Sequence, residues 1–222
     1  MTRTSRNWRT RPGGFDTLHL HRYSLPCSHP LGFPDLLPQD FVIQDLDDHE
    51  LLPYHTTERD PARLENAVCH FFIDDYRFES VWTRPVTGLH RVKRFAAALT
   101  PDFSLYANWP TVAQQWNHYR SQWIGRYWQV HGIQVIPSAN WSTEDSYYWA
   151  FAGNPTGQVL ALAVPDLRDP VTHRLFYAGF RALVQQLQPT ALLVYGQLPV
   201  RLIRKAEPAR ILSFPTHWEG RR

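Results

Sequence analysis

The stretch with the clearest chemical potential is residues 70–79, where an apolar run ends in two adjacent carboxylates and an arginine. A short apolar run bounded by polar residues is typical of a buried strand in a parallel sheet. Ligands of such sheets bind just beyond the carboxyl ends of the strands. We therefore predict that Asp74, Asp75 and Arg77 lie where an α/β protein does its chemistry.

Two interpretations of the carboxylate pair are open. If the strand continues through them, Asp74 and Asp75 point to opposite faces, and one of them faces the cleft. A cleft aspartate can hold a divalent cation, act as a general base or attack as a nucleophile, and the spacing does not choose among these roles. In the structural alternative, the pair forms salt bridges with Arg77 and Arg84 and caps the following turn.

The elements that must position these residues alternate along the chain. Short apolar runs predict seven strands, at residues 41–43, 68–73, 103–106, 133–136, 159–164, 191–195 and 210–214. Helical spacing of apolar residues predicts helices at 88–99, 111–131 and 170–187. Such alternation favours an α/β fold with a mostly parallel sheet. We expect a small or incomplete (β/α) barrel rather than an open doubly wound sheet, because no glycine-rich dinucleotide fingerprint is present.

Composition predicts the boundaries of one domain. Residues 1–14 form a flexible basic arm that could touch a nucleic-acid backbone, although most short basic termini are simply disordered. Residues 15–222 form the domain itself. Within it we expect an irregular cap at 15–38, a core at 39–199, and a tail at 200–222 that carries the last short strand.

Other predicted strands also end in polar or aromatic residues. Asn108 and Trp109 follow the third strand, Asn140 and Trp141 follow the fourth, and Gly196 follows the sixth. Because parallel strands end at the same edge of a sheet, these residues are predicted to bind substrate together with Arg77.

The predicted helix from residue 111 adds two more candidates. Four aromatic residues recur along one stripe of this helix: Trp116, Tyr119, Trp123 and Tyr127. Such a stripe most often packs a helix against its sheet, although aromatics interleaved with arginine can also stack bases and pair phosphates. The neighbouring edge, with Asn117 and Arg120, is the part that we expect to reach solvent or ligand.

Charge and cysteine content limit the class of protein. The net charge is +3, which is too weak to demand a nucleic-acid partner. Only two of the 23 basic residues are lysine, and arginine favours forked recognition of carboxylate or phosphate. A GC-rich coding sequence would give the same bias.

The two cysteines do not form a disulfide framework. The set Cys27, His29, Cys69 and His70 matches none of the usual paired-ligand spacings, so a zinc site is not expected. The start of the chain is polar and no apolar run is long enough to span a bilayer, which predicts a cytoplasmic protein without a membrane partner.

Several motifs together resemble an uncharacterised family, domain of unknown function 4417. They occur in the family's order, between residues 41 and 196: 71–79 followed by Trp82 and Pro85, 101–104, Gln115 with 117–120, 127–129, 132–137, Trp141 and 193–196. The resemblance implies a protein of a phage or other mobile element. It brings no settled activity with it.

The leading hypothesis is a nucleotide- or nucleic-acid-directed protein of a mobile element, and whether it is an enzyme is left open. Asp75 would be the base, nucleophile or metal ligand, Arg77 and Arg120 would bind phosphate, and Trp109 or Trp141 would stack a base or sugar. The competing hypothesis is a non-catalytic module that sequesters a nucleotide or docks on a host protein. A phosphosugar-type barrel enzyme has only fold analogy behind it. The sequence predicts neither a cofactor nor an oligomeric state.

Overall fold

Parallel strands form the frame of the protein in the computed structural model, which describes residues 25–41 and 46–216. Seven strands lie in these ranges: β1 (Glu50–Pro53), β2 (Ala67–His70), β3 (Ala97–Leu99), β4 (Val135–Ile136), β5 (Val159–Ala163), β6 (Ala191–Tyr195) and β7 (Arg210–Phe214). They form a four-stranded sheet, β1-β2-β3-β4, and a three-stranded sheet, β5-β6-β7, in which every pair is parallel. The predicted α/β fold with a mostly parallel sheet is confirmed.

The two sheets continue one another. Residues just after β4 bond to β5, with Ala161 N donating to Pro137 O (2.8 Å) and Ala139 N donating to Ala161 O (2.7 Å). The His70 and Tyr195 rings, at the ends of β2 and β6, are 4.8 Å apart between centroids. Contact between the second and sixth strands requires the sheets to curve toward each other. No pairing joins β1 to β7 within the described ranges, so the small or incomplete barrel stays a prediction.

The described helices lie between the strands. They are α1 (Pro61–Glu65), α2 (Ser80–Thr83), α3 (Pro85–Val92), α4 (Thr111–Val130), α5 (Tyr147–Ala150), α6 (Pro170–Leu187) and α7 (Val200–Ala206). Single 3₁₀ turns occur at Asp75–Arg77 and Glu144–Ser146. Helix α6 begins where predicted, because Asp169 accepts a bond from Thr172 N (2.7 Å) and Pro170 occupies the first turn. No helix in the described ranges is long and apolar enough to cross a membrane.

The prediction was wrong around the third strand. Residues 103–106 are an irregular loop, and β3 lies at Ala97–Leu99, inside the segment predicted as helix 88–99. Alanines favour a helix locally, but here they fill a narrow, fully buried strand between β2 and β4. Strand β1 was not predicted. The arm at 1–14, and residues 42–43 of the predicted first strand, lie outside the described ranges.

Strands β5 and β6 are buried on both faces. Leu160 and Leu162 pack in one apolar cluster with α6 and α7, whereas Val159 and Ala161 belong to the larger cluster around β1–β4 and α4. This alternation follows from the two-residue period of a strand. The aromatic stripe of α4 lies largely in the larger cluster, where Trp123 is 1% exposed, so the packing interpretation of that stripe is confirmed.

Helix α6 approaches the chain after β4 closely at Gly179. A Cβ at that position would lie 2.0 Å from Trp141 Nε1. The indole donates to Leu175 O (3.2 Å) and stacks on Phe176, with ring centroids 5.4 Å apart and planes inclined by 28°. Glycine is therefore required here, because any larger residue would push the indole off the helix.

We expect Gly179→Ala to destabilise the protein by about 1–3 kcal/mol, the usual cost of overpacking a close contact. Urea unfolding measures this change. The control is Gln185→Ala on an exposed position of the same helix, which should stay within about 0.5 kcal/mol of the wild type. Equal stability of the two variants would contradict the described Trp141 contact.

Candidate active site

Three strand ends meet on the loop that follows β3. From the turn after β2, Asp75 accepts bonds from Ser104 N (3.1 and 3.3 Å) and Ser104 Oγ (2.9 Å). Asn140, after β4, donates to Phe103 O (3.3 Å), and Asn117 of α4 donates to Ser104 O (2.8 Å). The structure therefore brings Asp75, Asn117 and Asn140 together around one loop, residues 101–105, and their roles in binding or chemistry stay predictions.

A second layer of contacts supports this loop. The Arg120 guanidinium lies 3.8 Å from the centroid of the Phe103 ring and donates to both oxygens of Glu79 (2.7 and 2.9 Å). It also donates to Asn117 Oδ1 (2.7 Å). Asn117 and Arg120 are only 5% and 9% exposed, which corrects the expectation that this edge reaches solvent or ligand. Arg120 is held by a carboxylate and is not free to bind phosphate.

Asp102 is the acidic residue of this loop, and its pKa is strongly shifted by its surroundings. Burial raises the pKa of Asp102 to about 7, the charge of Asp75 adds to the rise, and a hydrogen bond from Asn140 acts in the opposite direction. A carboxyl of this kind is partly protonated at neutral pH, so it can donate or accept a proton. Two carboxyls whose environments differ in this way are typical of acid–base sites.

Asp102 and Asn140 line a cavity of about 400 Å³. Its other walls come from the loop after β3, the ends of β4 and β5, and the first turns of α6. Apolar and aromatic lining is supplied by Leu105, Tyr106, Ala139, Trp141, Leu175 and Phe176. A concave, mostly apolar pocket with a few convergent polar groups is the usual form of a small-molecule site.

Other predicted site residues lie outside this cavity. Asp74 and Arg77 are exposed and pair with each other (3.2 Å), as the structural alternative held. Asn108 and Trp109 lie on an exposed turn, where the Trp109 ring contacts Tyr106 at 4.8 Å between centroids. They miss the pocket because the loop after β3 is longer than predicted.

Gly196 also lies outside the pocket lining. It has a φ of +98° and donates its N–H to Phe214 O (2.8 Å), so it extends the pairing of β6 with β7. Trp141 does line the pocket, but its indole is anchored on α6 through Leu175.

The sequence prediction missed Asp102, Ser104 and Glu79. Asp102 and Ser104 stood in a motif that carried the family resemblance, but the strand predicted at 103–106 made Ser104 a strand residue and put Asp102 before the strand rather than at its exit. Glu79 ends the 70–79 stretch and was visible only as a charge. Asp102 and Ser104 could have been predicted as site residues if the run Pro101–Ser104 had been interpreted as the end of a strand.

The described residues contain no group of three or more His, Cys, Asp or Glu side chains placed to hold a metal ion. Cys27 is exposed, whereas Cys69 is buried in β2, where burial raises the pKa of its thiol. The acidic pair Asp75 and Asp102, with the amide of Asn140, is thus the main chemical feature of the sheet edge.

Comparison with known proteins gives two relatives and a family. The chain is 45% identical to the "Gene 1 protein" of Mycobacterium phage L5 over 222 residues, covering 100% of this chain and 94% of that protein. It is 42% identical to the "Gene 1 protein" of Mycobacterium phage D29, covering 100% of this chain and 80% of that protein. The family model described as Domain of unknown function (DUF4417) matches residues 25–215. No solved structure matches the chain significantly.

We expect Arg120→Lys to destabilise the protein by about 1–3 kcal/mol, because one amine cannot replace the two guanidinium nitrogens that bond Glu79 and Asn117, nor the guanidinium contact with the Phe103 ring. Chemical unfolding measures the change. Arg77→Lys is the matched control, since its exposed pair with Asp74 should contribute no more than about 0.5 kcal/mol. Equal losses in the two variants would contradict a supporting role for Arg120.

The raised pKa of Asp102 predicts a pH dependence of stability. Between pH 3.8, its ordinary pKa, and about 7, the folded protein keeps the Asp102 proton that the unfolded chain has lost. The free energy of unfolding therefore falls as pH rises through this window. Asp102→Asn should gain stability over the wild type as pH rises from 4 to 8, as measured by urea unfolding at several pH values.

The control for this prediction is Asp166→Asn. Bonds from Arg168 lower the pKa of Asp166 to about 2, so its contribution is present above pH 3.8 and is lost as pH falls toward 2. The Asp166 difference curve should therefore be flat between pH 5 and 8. A flat curve for Asp102→Asn in that range as well would mean that Asp102 has an ordinary pKa.

Proposed function

The chain belongs to the family described as Domain of unknown function (DUF4417), and we propose that it is a nucleotide- or nucleic-acid-directed protein whose pocket receives a nucleobase beside Asp102. The observation that carries the proposal is that Asp102, on the loop that follows β3, lines an apolar, aromatic-walled cavity, where burial raises its pKa to about 7. The curated relatives are phage proteins, which is the setting that the leading hypothesis assumed.

The pocket chemistry suits an uncharged planar ring. A protonated carboxyl offers one donor and one acceptor side by side, the pattern that matches the amide-like edge of a base. The Tyr106 and Thr172 side chains add hydroxyl groups to the lining, and Trp141 and Phe176 add aromatic surface for stacking. A cavity of about 400 Å³ is within the ordinary range for small-molecule sites.

In the enzymatic form of the proposal, Asp102 exchanges a proton with the bound ring or with a leaving group. A pKa near the working pH gives a general acid–base group its best balance of protonation state and driving force. Asp75 lies behind it, bonded to Ser104. Of the two arginines predicted to bind phosphate, Arg77 is the accessible one, with a side chain 39% exposed, and it would contact the phosphates of a bound strand.

One observation favours the competing hypothesis, a non-catalytic binding module. Asp75 accepts three bonds from Ser104, and Arg120 donates to Glu79 and Asn117, so two of the residues predicted to do chemistry are occupied in holding the fold. The pocket would then bind a nucleotide without changing it. Conversion of the bound nucleotide to a product is the observation that separates an enzyme from a binding module.

Calorimetric titration with free bases, nucleosides, mononucleotides and short single strands tests the proposal. Asp102→Ala removes both hydrogen-bonding atoms and should weaken binding about tenfold or more. Asp102→Asn keeps a donor and an acceptor but cannot exchange a proton, so it should bind nearly as the wild type does. Asp166→Ala, outside the pocket, is the matched control.

The same samples, incubated and analysed by mass spectrometry, decide between the two forms. Product that appears with wild type and disappears with Asp102→Asn, despite retained binding, identifies an enzyme. Binding without product identifies the module. If wild-type protein binds no member of the ligand series, or if Asp102→Ala binds as tightly as wild type, the proposal is wrong.

A further inference from the structure

The sequence predicts Asp75 as a catalytic group, but Asp102 lines the pocket and Asp75 does not. Both Asp75 oxygens accept bonds from Ser104, which lies two residues beyond Asp102 on the same loop. We propose that Asp75 is a positioning residue for Asp102: it fixes the loop through Ser104 and places a negative charge beside the Asp102 carboxyl. This inference rests on the proposed function, in which Asp102 is the group that meets the ligand.

The rest of the loop is held as firmly as Ser104. Asn117 donates to Ser104 O (2.8 Å), Asn140 donates to Phe103 O (3.3 Å), and the Arg120 guanidinium covers the Phe103 ring at 3.8 Å. The loop is thus bonded to the turn after β2, to α4 and to the chain after β4, and these bonds fix its place relative to Asp75. A like charge near a carboxyl raises the proton affinity of that carboxyl, which is the direction of the effect of Asp75 on Asp102.

Of the groups named around the loop, Asp75 is the one whose charge acts on the pKa of Asp102, because the others are neutral or already paired. Helix α4 contributes Arg120, whose charge is balanced by Glu79 at 2.7 Å. The chain after β4 contributes the neutral amide of Asn140, and the α6 wall of the pocket contributes the hydroxyl of Thr172. Asp169 lies at the N-terminus of α6, where it caps that helix. The charge of Asp75 raises the pKa of Asp102, and the Asn140 bond lowers it.

This arrangement assigns separate tasks to two acids that the sequence does not distinguish. Without the Asp75 charge, Asp102 would be ionised over more of the neutral pH range and would lose its ability to donate a proton. Without the bonds to Ser104, the loop would lose its attachment to the turn after β2. Asp75 therefore acts on the ligand through Asp102 and not by contact.

The test is a carboxyl titration of Asp102 by NMR with ¹³C-labelled aspartate, in which the resonance is assigned by its absence from Asp102→Asn. Asp75→Asn keeps a side-chain oxygen that accepts from Ser104 but removes the charge. We expect the pKa of Asp102 to fall by roughly one unit in this variant, the size of effect that an adjacent charge produces. Asp74→Asn, at the neighbouring exposed position, should leave the Asp102 titration unchanged.

An Asp102 titration that is the same in Asp75→Asn and in wild type overturns the inference, since a merely structural Asp75 would change stability alone. If Asp75→Asn does not fold, the wild-type curve decides. Coupled carboxyls titrate in two steps, so the Asp102 resonance should show a minor step that follows the Asp75 resonance, and a single step overturns the inference.

The outcome is separable from that of the proposed function. The titration needs no ligand, so a protein that binds no nucleobase but shows the coupled titration would refute the nucleobase pocket and leave the role of Asp75 intact. If the protein binds a nucleobase through Asp102 but Asp102 titrates independently of Asp75, the nucleobase pocket is supported and the proposed role of Asp75 is refuted.

Discussion

The hydrogen bonds between Asp75 and Ser104 join two parts of the chain on which the edge of the sheet depends. They tie the turn after β2 to the loop after β3, and this loop carries both the pocket carboxyl and the Phe103 ring under Arg120. Asn140 and Asn117 attach to the same loop from β4 and α4. Polar groups left without partners at a half-buried loop would cost about 1–3 kcal/mol each, so these bonds determine where the loop lies.

This network lowers the stability of the fold at Asp102, the residue that lines the pocket. A buried carboxyl beside a second carboxylate opposes folding once it ionises, and Asp102 is such a group at neutral pH. The surroundings offset the cost with well-satisfied contacts, such as Ser138 Oγ donating to Thr100 O (2.9 Å) between the ends of β3 and β4. Sites that trade stability for a perturbed acid are a common source of function.

The family match and the relatives fit this picture of one connected unit. The match spans residues 25–215 and so takes in residues on the N-terminal side of β1, the pocket and β7. The pocket itself draws on segments from Asp102 to Phe176. The acidic pair and the α6 wall both lie within this matched range.

Local patterns in the sequence determined much of the architecture. Buried runs of β-branched and aliphatic residues predicted β5, β6 and β7, and the Asp169–Pro170 start predicted α6, because these signals depend on neighbours in the chain. The sequence also predicted that Asp75 and Asn140 lie near one edge of the sheet, where both bond to the loop after β3. It did not predict the role of each, because role depends on which partner a side chain meets.

Only the tertiary structure decided that Asp102, and not Asp75, faces the pocket. An alanine-rich segment became β3 because it pairs with β2 and β4 in the sheet, and that pairing moved the end of the strand from residue 106 to residue 99. Arg120 likewise became a support rather than a phosphate ligand once Glu79, 41 residues away, reached it. Local spacing predicts what a segment forms, whereas contacts between distant segments decide what each charged group can do.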